Sequence, residues 1–113
     1  MLKIYHHPRC AKSRAGLDYL KAHNHEFEII YYMDNHLDAE DIRRILMKLN
    51  MKPLQIVRPQ EELYRHELKG RSFTDEEWIR IIAEYPNLLQ RPVVEGKYRA
   101  VIAMPPERIE EII

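Results

Sequence analysis

The order strand, helix, strand within the first thirty-two residues restricts the fold more than any other feature of the chain. Leu2 to His6 sets Leu2 and Ile4 against Lys3 in the two-residue period of a half-buried strand, and Pro8, which has no amide hydrogen for a ladder, ends it. Ala11 to about His23 follows as a helix with Leu17 and Leu20 on one face. Phe27 to Tyr32 is rich in aromatic and β-branched residues and reads as a second strand. Two strands joined by one helix in so short a span are expected to lie parallel, with a right-handed crossover.

The middle of the chain reads as helical. Asp38 caps a helix whose Ile42, Ile45, Leu46 and Leu49 fall at i, i+3, i+4 and i+7, one buried stripe. Glu61 to Lys69 is a weaker helix between Pro59 and Gly70. Thr74 and Glu77 have the spacing of a capping box, and Trp78, Ile81, Ile82 and Tyr85 continue the stripe until Pro86. These helices are expected to pack together on one side. Pro92 to Val94 and Tyr98 to Ile102 flank Glu95-Gly96-Lys97 as an antiparallel hairpin, and Pro105-Pro106 opens a last helix with Ile109, Ile112 and Ile113 inward. The whole predicts an α/β fold: a thioredoxin-like βαβ–ββα arrangement with a helical insertion, about residues 38–85, between its halves. At 113 residues we read it as one domain, 1–113.

Composition removes several classes. With 45% hydrophobic and 32% charged residues the chain is neither disordered nor collagen-like. Its longest apolar runs, such as Ile29 to Met33 and Ala100 to Met104, fall far short of the roughly 20 residues of a bilayer span. The N-terminus lacks the apolar stretch of a secretory signal, so a cytoplasmic location is expected. Eighteen cations against eighteen acids give no electrostatic support for general polyanion binding, so no direct nucleic-acid partner is expected. Locally the balance differs: Met1 to Leu17 holds Lys3, Arg9, Lys12 and Arg14 and no acid.

The single cysteine, Cys10, excludes an intramolecular disulfide and any multi-cysteine metal centre. It falls at or just before the start of the first helix, where unpaired amides and the helix dipole stabilise a thiolate and could cradle an oxyanion. Cys10-Ala11-Lys12-Ser13 is a C-x-x-S pattern, so any disulfide turnover needs an external thiol. Gly16, not arginine, stands where a C-x5-R phosphatase loop would end. His6, His7 and Cys10 are too close together on a turning segment for a metal site, and none is expected.

His6-x-x-x-Cys10-x-x-Ser13-Arg14, followed downstream by Val57-Arg58-Pro59 and Leu89-Gln90-Arg91-Pro92-Val93-Val94, resembles the glutaredoxin-dependent arsenate reductase (ArsC) family over essentially the whole chain. That family's relatives include the Spx-type regulators. The resemblance implies that Cys10 is the nucleophile toward arsenate, and that Arg58 and Arg91 are the first two of three oxyanion-binding arginines. A guanidinium offers a planar pair of donors suited to two oxygens of such an anion. The resemblance also implies support from His6, Ser13 and Arg14, and a cis Arg91–Pro92 bond facing the cysteine. Glutathione as co-substrate, glutaredoxin as partner and no bound cofactor follow from it too. One departure stands out: aligning Pro105 places Met104 where the family carries its third arginine, with Arg99 and Arg108 as spatial substitutes. Two alternatives remain, a non-catalytic Spx-like regulator binding RNA polymerase and a general glutathione-linked thiol-transfer protein such as a deglutathionylase.

Overall fold

Strand β1 (Leu2–Tyr5) runs parallel to β2 (Phe27–Ile30), Leu2 opposite Phe27 and Tyr5 opposite Ile30, with α1 (Ala11–Ala22) as the crossover. The computed structural model describes residues 1–113, which fall into two units: Met1–Asn35 with Arg91–Ile113, and His36–Gln90. In the first unit β3 (Val93–Glu95) lies antiparallel on the other side of β1, Ile4 opposite Val94, and pairs with β4 (Ala100–Ile102). The sheet order is β2-β1-β3-β4, the expected thioredoxin-like arrangement. Its hairpin is closed by the Gly96 amide donating to the Arg99 carbonyl at 2.8 Å.

Ile4 and Val94 meet Leu20 of α1, Val101, Ala103 and Ile109 in one apolar core. Each buried Val, Leu or Ile there contributes about 1.5–3 kcal/mol. β2 stops at Ile30, two residues short of the expected end. The His6 amide takes the Ile30 carbonyl as the last rung, and Tyr31 starts a turn whose carbonyl accepts from Asp34 and Asn35. The final helix, Pro106–Ile112, is 3₁₀ rather than α. At three residues per turn Ile109 and Ile112 share a ridge, and the expectation that Ile113 points inward fails: it is exposed.

In the second unit α2 (Ala39–Leu49) starts in a reciprocal box, the Asp41 amide donating to Asp38 at 2.9 Å and the Asp38 amide to Asp41 at 3.0 Å. It ends at Asn50 in the left-handed region, φ 56°. α3 (Asp75–Glu84) has the expected Thr74–Glu77 box. Arg43 of α2 clamps Glu76 of α3 through two nitrogens, at 3.0 and 2.6 Å. On α3 the buried residues are Trp78, Ile79 and Ile82; Tyr85 is exposed because Pro86 forces it out of helical geometry. The weak helix expected over 61–69 is a π-helical turn at Tyr64–Leu68, stopped by Gly70 at φ 81°. An antiparallel bridge joins Val57 to Leu89.

Candidate active site

Cys10 is the N-cap of α1, in extended backbone conformation and partly buried. Its own amide donates to the His7 carbonyl at 3.0 Å and its carbonyl accepts from Arg14 at 3.0 Å, which fixes the turn and starts the helix. The neutral side chain makes no full capping bond. Partial burial pushes the thiol up, but hydrogen bonding from the Arg91 guanidinium and from the Ser13 and Lys12 amides outweighs it, and the thiol lies below its usual range. Lys12 and Ser13 are the second and third residues of the helix, the positions whose amides a capping atom accepts from.

Ser13, the place of an absent second thiol in the C-x-x-S pattern and a supporting residue by resemblance, is fully buried and ties the loop together. Its Oγ accepts the His7 amide at 2.9 Å and lies 2.7 Å from His6 Nδ1. Burial, then repulsion from His7, Lys21 and Arg14, holds the His6 pKa below 6.5. A neutral ring protonated at Nε2 can accept the Ser13 hydroxyl proton at Nδ1 while the Ser13 oxygen accepts the His7 amide. His6 therefore supports the loop as a neutral spacer, with Tyr31 packed edge-on at 5.8 Å, rather than as a cation beside the thiolate. A depressed folded-state pKa means that unfolding takes up a proton as pH falls below 6.5. Stability from this group is complete above that pH and falls by up to about 1.4 kcal/mol per pH unit below it. Denaturant midpoints at pH 5 and pH 7 should show this acid limb in the wild type and a flatter one in His6→Asn; identical limbs would sink the assignment.

The Arg91–Pro92 peptide is cis, as the resemblance implies, and Pro92 is buried at the start of β3. It packs on α1 at Gly16, where a Cβ would lie 2.8 Å from Pro92 Cγ. A proline ring cannot rotate away from such a clash. Gly16→Ala should gain about 1 kcal/mol of helix propensity yet lose more to overpacking, for a net destabilisation of about 1–2 kcal/mol in urea. A more stable variant would show that the packing is loose. Arg14 Nη1 donates to the Pro8 carbonyl at 2.8 Å and braces the same loop. Arg58, in the second unit, is mostly buried and ion-paired with Glu61.

The ArsC family profile matches residues 5–112. The chain belongs to the ArsC family. It is 37% identical to the protein YfgD of Escherichia coli K12, covering 99% of this chain and 96% of that one. It is 32% identical to an arsenate reductase of Neisseria meningitidis serogroup A, over 99% and 97% of the two chains. An arsenate reductase from Vibrio cholerae superposes with a TM-score of 0.94 at 32% identity, over 99% and 97%.

Of the arginines that the resemblance implies, the first unit holds Arg91 beside the thiol, and Arg99 and Arg108, the two considered in place of the third, are engaged elsewhere. Arg99 Nη1 donates to the Glu111 carbonyl at 3.0 Å, and Arg108 Nε and Nη1 reach Glu111 and the Ile102 carbonyl at 3.2 and 3.4 Å. Both brace the C-terminal helix. Met104 is 40% exposed and precedes a second cis proline, Pro105, which the sequence does not announce.

Proposed function

We propose that this protein reduces arsenate to arsenite, with Cys10 as nucleophile and glutathione and glutaredoxin as electron donors. The observation that carries the reading is the Cys10 thiol held below its usual range by Arg91 and the first amides of α1. The thiolate attacks arsenic, and one arsenate oxygen takes up a proton and leaves as water. Arg91 and the helix amides stabilise the remaining oxygens; Arg58 takes a share of that role on the family correspondence. A glutathione thiol then displaces a second oxygen, again as water. Attack by glutaredoxin or a second glutathione on that sulfur forms an S–S bond and leaves its electron pair on arsenic, which becomes arsenic(III). Hydrolysis releases arsenite and returns Cys10. The sum consumes arsenate and two thiols and yields arsenite, one disulfide and water.

The test is NADPH oxidation in the presence of glutathione, glutaredoxin and glutathione reductase. Oxidation that requires arsenate and each thiol component supports the reading; none above the protein-free rate rejects it. The engagement of Arg99 and Arg108 elsewhere favours a second reading, glutathione-linked thiol transfer. The same assay supplied with a glutathionylated peptide in place of arsenate separates the two.

A further inference from the structure

Two cations that flank Cys10 in the sequence have no side-chain partner within the protein. Arg9 and Lys12 are exposed, and neither takes part in an ion pair or a side-chain hydrogen bond. Their neighbours are committed: Arg14 holds the Pro8 carbonyl, and Arg91 is the cation among the leading influences on the thiol. The stretch from Met1 to Leu17 contains no acid to neutralise them. Exposed, unpaired cations give screened attraction over several ångströms, which suits capture of a mobile anion rather than rigid bidentate binding.

We propose that Arg9 and Lys12 form a cationic collar that draws a thiol or disulfide bearing an excess of carboxylates, the charge pattern of glutathione, onto Cys10. This rests on the glutathione-linked reading given above and assigns residues to its second substrate. The collar acts on encounter, so it is sensitive to salt and indifferent to uncharged thiols.

Thiol–disulfide exchange tests it without arsenate. Cys10 thiolate attacks one sulfur of oxidised glutathione, the S–S bond breaks, a mixed disulfide forms, and the departing glutathione thiolate is protonated by water. We expect the rate to fall about fivefold in the double variant Arg9→Gln/Lys12→Gln, and the wild-type rate to fall toward the variant's in high salt. The rate with uncharged hydroxyethyl disulfide should stay the same in both proteins. Equal losses with both disulfides, or no loss with either, would overturn the collar. Charge discrimination without arsenate turnover would support the collar while rejecting the reductase reading, and turnover without discrimination would do the reverse.

Discussion

Cys10→Ser should abolish arsenate-dependent NADPH oxidation while leaving the protein as stable as before or more so. A serine hydroxyl stays protonated at any working pH and cannot replace a thiolate at arsenic. At the N-cap, however, serine is a preferred residue, and its oxygen can accept from the Lys12 and Ser13 amides that here favour the thiolate. A capping gain of about 0.5–1 kcal/mol is therefore expected in urea alongside the loss of turnover. Residual turnover in the variant would remove Cys10 from the mechanism. Loss of turnover together with loss of stability would mean that the cysteine is needed for packing.

Arg91→Met should give the next largest effect. The methionine fills much of the same volume but removes the hydrogen bond and the charge that oppose the burial of the thiol. The midpoint of Cys10 alkylation by iodoacetamide should then rise toward, or past, the ordinary thiol value of about 8.5. At pH 7 both the thiolate fraction and the stabilisation of the oxyanion fall. A loss of about 10²–10³ in kcat/KM for arsenate is expected, the size found for removing one oxyanion donor. Arg91→Lys should restore the alkylation midpoint better than the turnover, since it keeps the charge and loses the planar fork. An unmoved midpoint in Arg91→Met would place the thiolate's support in the helix amides alone.

The parts of the fold that sequence reading captured are those written in local spacing. The parallel pair around α1, the Thr74–Glu77 box and the stripe Ile42–Ile45–Leu46 each depend on residues a few positions apart. Cys10 at the head of a helix was legible for the same reason. What was not legible depends on distant partners. Gly16 looks incidental until Pro92 is packed on it, and Ser13 looks like a missing thiol until His6 and His7 close around it. Glu95 reads as part of an exposed hairpin tip, yet it is 3% exposed, with the Tyr5 hydroxyl donating to it at 2.5 Å. Helix type also escapes pattern reading: the π turn at Tyr64–Leu68 and the 3₁₀ ending at Pro106–Ile112 carry apolar spacings that an α-helix would also fit.

The pairing of β1 with β3 has a consequence for how the chain is made. These central strands are 90 residues apart, as Tyr5 and Glu95 are, and the whole second unit is encoded between them. During synthesis β1, α1 and β2 emerge before β3, and one side of β1 keeps its hydrogen-bonding groups unmatched until β3 has left the ribosome. Closing a flexible loop of that length costs about 4 kcal/mol in chain entropy beyond a fixed term. The folded His36–Gln90 unit, with its own capped helices and its bridge from Val57 to Leu89, spans that interval with a shorter tether than an open chain would. Arg91 follows that unit directly in sequence, so the guanidinium that favours the Cys10 thiolate arrives only with β3, the strand that fills the open side of β1. Until then the nascent chain carries an ordinary thiol.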